Sequence, residues 1–251
     1  MGQALHRFLE MNTMLKRKYL TQPEIEILLS ELGKYVHAER NICMMFMGFI
    51  HGFRVSELLS LKLSDVDLDG RSLRVQRLKN GFSTIHPIVP REVQLIRHWL
   101  VERQNYLPKT RSHEQLADED VDWLFLSRNG QRMSRQQVYK IIRQTSQKAK
   151  LSICANPHML RHACGYALAD NGVDTRLIQD YLGHRNIRHT VRYTASNAGR
   201  FETIWHEKGK RKKLTISTKL SSHLKQLFLN LVYFSSAYKN HPNLLIINNK
   251  I

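Results

Sequence analysis

His158, Arg161, His184 and Tyr193 fall within one stretch, Asn156 to Thr194, reading NPHMLRHACGYALADNGVDTRLIQDYLGHRNIRHTVRYT. Together these residue types suit chemistry on a phosphodiester. The planar guanidinium of Arg161 offers a fork of donors to two phosphate oxygens. His158 and His184 can donate hydrogen bonds or move protons near neutral pH. The Tyr193 phenol can act as a covalent nucleophile if neighbouring cations lower the cost of its phenolate. Taken singly, each residue reads more simply as part of a basic helical surface. Four at these spacings, each beside a helix boundary, do not.

The elements that must hold them are punctuated clearly. Asn156 can cap free backbone N–H groups, and Pro157 fits the first helical position, where its missing N–H has no partner anyway. His158 and Arg161, at i and i+3, then share one side of the helix near its positive end, which itself attracts an anion. Gly172 is the expected stop. Asp174 can cap a second short helix with an apolar face of Leu177, Ile178, Tyr181 and Leu182, and Gly183 ends it just before His184.

Upstream, Thr21-Gln-Pro-Glu24 is a capping box that opens a helix to Leu32. His37 to His51, with ICMMFMGFI at its centre, reads as a buried helix whose methionines are core filler, ended by Gly52. Ser56 can cap a short helix burying Leu58, Leu59 and Leu61. Arg54 stands just before it and Glu57 three residues on. Arg54 is either a surface arginine paired with Glu57 or a second phosphate fork, and the residues alone do not choose. Residues 71–89 switch to period two around Asn80-Gly81, the strongest short-range hairpin signal. Lys79 therefore sits at a hairpin tip, either simply solvated or able to swing into a groove. Pro90–Gln104 reads as a helix, with Val93, Leu95, Ile96, Trp99 and Leu100 apolar; 105–121 is a loop, Trp123–Leu126 a short strand, and Asn129-Gly130 a turn. Ser134 to Gln137 is another capping box, starting a basic helix to about Lys150 that suits DNA-backbone contact. Ser196–His206 reads as a last helix with Phe201, Ile204 and Trp205 apolar.

Composition bounds the partners. Lys and Arg number 39 against 21 Asp and Glu, a net charge of +18 over 251 residues. Such a balance points to a polyanion, nucleic acid before anionic membrane. No apolar run is long enough to span a bilayer and no signal peptide opens the chain. The odd set Cys43, Cys154 and Cys164 fits reduced thiols in a cytoplasm. Residues 208–251 differ in kind, with nine Lys or Arg and no Asp or Glu.

Arg54, Lys79, His158-x-x-Arg161, Leu182-Gly183-His184 and Tyr193 stand in the order and rough spacing of the tyrosine recombinase (phage integrase) catalytic domain. The resemblance runs from about Tyr19 to Trp205. QRLKNGFST at 76–84 and the whole PHMLRH-to-Tyr193 stretch further resemble the fimbrial phase-variation DNA invertases. The resemblance implies an α+β, mostly helical fold with a small antiparallel sheet. It divides the chain into a basic lead-in, 1–18, a catalytic domain, 19–207, and a basic extension, 208–251, outside the catalytic fold. Most of the family carries an N-terminal DNA-clamping domain, where here only the lead-in stands.

It also implies roles: Tyr193 as nucleophile, Arg54 and Arg161 as the clamp on the scissile phosphate, and His184 as hydrogen-bond donor to it. His158 becomes the acid/base helper, Lys79 the general acid, and Glu57 the support that orients the site. The chemistry needs no cofactor and no metal. Its implied setting is double-stranded DNA with short inverted repeats, a homotetramer on two synapsed sites, DNA-bending accessory proteins, no membrane, and a bacterial cytoplasm at the nucleoid. The outcome would be promoter inversion and transcription control. Rivals are a non-catalytic DNA-binding regulator, a type IB topoisomerase-like strand transferase, and a metalloenzyme on His158-x-x-x-His162. Against the last, Met159 stands where a zincin carries Glu, and Arg161 puts a fixed cation beside the would-be metal.

Overall fold

The first helix begins where the Thr21–Glu24 pair places it. In the computed structural model, which describes residues 17–77, 83–107 and 122–195, Thr21 Oγ1 accepts the Glu24 N–H at 3.4 Å, and Glu24 Oε2 accepts the Thr21 N–H at 2.8 Å. This capping box opens α1, Gln22–Leu32. Helix α2, Ala38–Ile50, buries Cys43, Met44, Met45, Phe46 and Met47. It is the central element of the fold, packing against α1 and two further helices, α4 and α6, at Pro90–Arg103 and Pro157–Asp170. Gly52, just beyond it, takes φ +57°, which a Cβ would strain.

Helix α3, Val55–Leu58, starts earlier than the sequence suggests. Its cap is Arg54 rather than Ser56, because the Glu57 carboxylate reaches back to the Arg54 N–H at 3.0 Å and fixes the first turn there. Leu58, Leu59 and Leu61 are buried as expected. The period-two segment forms β2, Ser72–Val75, and β3, Thr84–Pro87, paired antiparallel with Val75 opposite Thr84. A short β1, Val66–Asp67, flanks β2, giving the antiparallel order β1-β2-β3. Residues 78–82, with Lys79 and the Asn80-Gly81 tip, lie outside the described residues, as do 1–16, 108–121 and everything from 196 on. The predicted helix at Ser196–His206 and the basic extension therefore lie there too.

Helix α4 buries Ile96 and Trp99. Trp123–Leu126 is not a strand. It makes two isolated bridges, Lys62 to Trp123 and Leu126 to Arg132. Its backbone groups go instead to single partners: the Leu124 N–H to Leu61 O at 2.8 Å, and the Leu124 carbonyl to Trp99 Nε1 at 2.8 Å. The Asn129-Gly130 turn closes with the Gly130 N–H on Ser127 O at 3.0 Å. Helix α5, Arg135–Lys148, starts at its Ser134 cap.

Helix α6 is followed by α7, Thr175–Leu182, and α8, Arg188–Ala195. These three share a small core of Cys164, Ala169, Ile178, Leu182 and Tyr193. Leu177, expected on the apolar face, is 56% exposed. It lies about 100° round the helix from Ile178, and the stripe that faces inward is Ile178 and Leu182, with Tyr181 at its edge. Among the described residues, no helix is long and apolar enough to cross a membrane.

Candidate active site

Glu57 is the centre of the site, and α3 places it. Its carboxylate is fully buried and receives guanidinium groups from three parts of the chain. Arg54 Nη1 donates to Oε1 at 2.5 Å, Arg77 Nη1 to Oε2 at 2.9 Å, and Arg161 Nη1 lies 3.8 Å from Oε2. Burial alone would raise this carboxyl. Arg77, the Arg54 N–H, Arg161 and the Arg54 side chain outweigh it and hold the pKa below the usual carboxylate range.

Two of these arginines are stapled to the same pair of helix ends. The last carbonyls of a helix have no partner within it and carry its partial negative charge. Arg161 donates to Gly52 O, beyond the end of α2, and at 2.7 Å to Leu182 O at the end of α7. Arg77 donates to the neighbouring carbonyls, His51 O at 3.4 Å and Tyr181 O. The carbonyl before these, Ile50 O, accepts from the Tyr181 hydroxyl at 3.0 Å and the Cys164 thiol at 3.3 Å. Two helix C-termini and one carboxylate thus make burial of two guanidiniums tolerable. Burial lowers the Arg161 pKa to about 10, with Arg54 acting in the same direction, so it stays charged at neutral pH. Arg54 is different: its side chain is 29% exposed and is the one of the three that reaches solvent appreciably.

Gly183 takes φ +65° and turns the chain from α7 into His184. His184 Nδ1 lies 2.8 Å from Thr190 Oγ1 on α8. Burial first, then Arg161 and Arg54, push the imidazole down to about 3, so it is neutral at physiological pH and can offer one N–H. Tyr193 packs beside it, the two rings 6.3 Å apart and nearly parallel. The Tyr193 side chain is buried, 1% exposed, and its hydroxyl is 2.9 Å from His162 Nδ1. Arg161 and Arg192 do ease ionisation of this phenol, but burial outweighs them and leaves its pKa raised. His162 is itself pushed down to about 4, by burial first and then by Arg192.

A buried phenol, a neutral imidazole and three arginines around one carboxylate are the parts of a strand-transfer site, and they coincide with a match along the chain. Residues 18–200 match the phage integrase family. The chain belongs to that family. The type 1 fimbriae regulatory protein FimB of Escherichia coli (strain K12) is 54% identical over 190 residues, covering 76% of this chain and 90% of FimB. FimE of the same strain is 48% identical over 192 residues, covering 76% of this chain and 92% of FimE. Among solved structures, the XerH site-specific recombinase bound to palindromic difH substrate in a post-cleavage complex superposes with a TM-score of 0.59 at 25% identity. That match covers 75% of this chain and 53% of XerH, so the chain spans about half of it. The chain is a site-specific tyrosine recombinase with the α+β, mostly helical fold of that family's catalytic domains, and it binds DNA.

Set against this recombinase fold, the sequence-predicted residues divide in three. Arg54, Glu57, Arg161 and His184 converge, and Tyr193 lies against His184. His158 is exposed on the first turn of α6, its N–H capped by Asn156 Oδ1 at 3.1 Å, while Arg161 turns inward. Lys79 lies outside the described residues. Sequence reasoning missed two residues. Arg77 stands two positions before Lys79, just past the end of β2, where period two alone gave no reason to single it out. His162 follows Arg161 directly and was weighed only as a metal ligand. Cys164 is buried with its thiol on Ile50 O, and Cys154 is exposed.

Proposed function

We propose that this recombinase cleaves one DNA strand with Tyr193 and rejoins it to a new partner, inverting a DNA segment bounded by short inverted repeats. The phenolic oxygen attacks phosphorus, the bond to the 5′ oxygen breaks, and a 3′-phosphotyrosine keeps the bond energy, so rejoining needs no external energy source. Arg54 and Arg161 hold the non-bridging oxygens as charge grows on them, and His184 donates an N–H to the same phosphate. His158 takes the phenolic proton, and Lys79 protonates the departing 5′ oxygen, which leaves as a hydroxyl. Glu57 orients the clamp.

The observation that carries this reading is the convergence of Arg54 and Arg161 on Glu57, with His184 and Tyr193 packed alongside. Because the Tyr193 side chain is buried, attack on a duplex phosphate requires α8 to release it, and DNA is the ligand that would favour release. The likeness to two type 1 fimbriae regulatory proteins supports control of a fimbrial promoter by inversion. A homotetramer on two synapsed sites, assisted by DNA-bending proteins in a bacterial cytoplasm at the nucleoid, completes the proposal.

The test is incubation with nicked duplex carrying inverted repeats, followed by denaturing electrophoresis. The expected outcome is a covalent protein–DNA adduct that Tyr193→Phe abolishes while leaving DNA affinity within about threefold, because affinity comes from many Lys and Arg contacts to phosphates. An adduct that survives in the Phe variant would move the nucleophile elsewhere. A band shift without any adduct from the unaltered chain would favour the non-catalytic regulator.

A further inference from the structure

We infer that Arg77 is a positioning residue for strand cleavage: it sets the spacing between the turn that carries Arg54 and the turn that carries His184. The inference rests on the strand-transfer reading and adds to it a residue that does not touch the DNA.

The geometry is that of a twin to Arg161. Arg161 bridges Gly52 O and Leu182 O, and Arg77 bridges the preceding carbonyl of each pair, His51 O and Tyr181 O. Two guanidinium staples therefore cross the same gap between the C-terminal ends of α2 and α7. A single staple fixes a distance, whereas two side by side also fix the angle between the helix ends. Arg54 follows Gly52 by two residues and His184 follows Leu182 by two, so that angle decides where both point. The Arg77 side chain is wholly buried and its third contact is Glu57 Oε2, which leaves Glu57 Oε1 for Arg54. Arg77 thus also determines which carboxylate oxygen Arg54 sees. With Arg54, Arg77 and Arg161 sharing one carboxylate, the site keeps an excess of fixed positive charge before any phosphate arrives.

The surroundings leave Arg77 little freedom. Its guanidinium carbon lies 5.6 Å from the Phe53 ring centroid. A Cβ on Gly183 would lie 2.9 Å from both Cγ and Cδ of Arg77. Glycine at 183 is therefore required twice, for its φ of +65° and for the room it gives this side chain. A lysine at 77 could reach Glu57, but its single ammonium lacks the planar fork that meets two carbonyls and a carboxylate together.

The experiment uses the full chain on nicked duplex substrate, measuring DNA affinity, single-turnover cleavage rate and circular dichroism for Arg77→Lys and Arg77→Gln. The expected result is affinity within about threefold and a cleavage rate lowered about 10- to 100-fold, as for other residues that orient a reacting group. The defect should persist on a substrate with sulfur at the bridging 5′ position, because leaving-group protonation is not what Arg77 serves. Combining Arg77→Gln with Glu57→Gln should cost little more than the worse single change, since both act through one network. Gly183→Ala, which keeps Arg77 but crowds it, should give the same pattern of intact affinity and slow cleavage. Normal cleavage by folded Arg77→Lys and Arg77→Gln would overturn the inference. So would full rescue by sulfur, which would place the effect on the Lys79 hairpin, or loss of the fold in both variants, which would make Arg77 a structural ion alone. Absence of an adduct from the unaltered chain would instead defeat the strand-transfer reading beneath it.

Discussion

At the scale of single residues, the site is built so that its chemistry waits for DNA. Tyr193 is buried with a raised pKa, and His184 is neutral. Burial keeps the phenol protonated in advance, so the proton leaves as the phosphorus–oxygen bond forms. The complementary proton, to the 5′ oxygen, falls to Lys79 in the proposed mechanism. Lys79→Ala should then slow cleavage by about 10²- to 10⁴-fold, the usual worth of a general acid. Sulfur at the bridging position should restore the rate, because a thiolate leaves without a proton. An equal defect on both substrates, read as single-turnover rates, would remove Lys79 from that role, and His158→Ala should show less rescue. The residues legible in the sequence were those at helix boundaries, such as Asn156, Arg161, Gly183 and His184, because a cap or a positive φ restricts residue type. Arg77 was not legible, because its partners, Glu57 and Tyr181 O, are distant in sequence and a strand pattern says nothing about them.

At the scale of elements, the local signals placed helices well and tertiary partners poorly. The capping boxes at Thr21 and Ser134 and the Asn156 and Asp174 caps all mark helix starts. The α3 start was misplaced because its cap comes from Glu57 reaching backward rather than from Ser56. Trp123–Leu126 was misread because an apolar run shows burial without showing whether a neighbouring strand exists. The packing of α6 against α8 yields a prediction of its own. Gly165, in the middle of α6, faces the Tyr193 ring so closely that an added Cβ would lie 2.6 Å from Cε2 and 2.7 Å from Cζ. On an open helix, Gly→Ala gains about 0.5–1 kcal/mol. Here the methyl meets a buried ring, and overpacking costs about 1–3 kcal/mol. Gly165→Ala should therefore lower the midpoint of thermal unfolding and quicken adduct formation, since it destabilises the buried position that Tyr193 must leave. A raised midpoint with unchanged adduct formation would show that α8 already gives way at little cost.

At the scale of the whole molecule, charge and burial together predict how stability depends on pH. His86 and His184 are each held down to about 3 and His162 to about 4, in every case by burial first. His86 faces His51 at 3.1 Å and stacks on Tyr181, with Arg77 adding repulsion and Glu92 bound to the far side of His51 at 2.7 Å. The sign follows from which state takes up protons. In the unfolded chain these imidazoles titrate near 6.5, whereas folded they stay neutral until far lower pH. Below about 6.5 the unfolded state therefore binds more protons, and stability falls as pH falls towards the folded values. For His86, which is wholly buried, the loss between pH 7.5 and 5.5 is about 1.4 kcal/mol. His162 and His184 act in the same direction, with solvent screening reducing their share. Glu57, held below its usual range by Arg77 and its neighbours, adds a further loss only once pH falls below the usual carboxylate value towards its folded one. Urea unfolding without DNA at pH 7.5, 6.5 and 5.5 should thus show a steady fall in stability. His86→Phe should flatten part of that slope, because it removes a proton acceptor present in the unfolded chain alone. DNA carrying the recombination site should flatten it further, because a phosphate beside His184 favours the imidazolium and raises its folded pKa. A stability profile flat between pH 7.5 and 5.5 would mean that these histidines titrate in the folded protein as they do in water, and that the site is far wetter than its packing indicates.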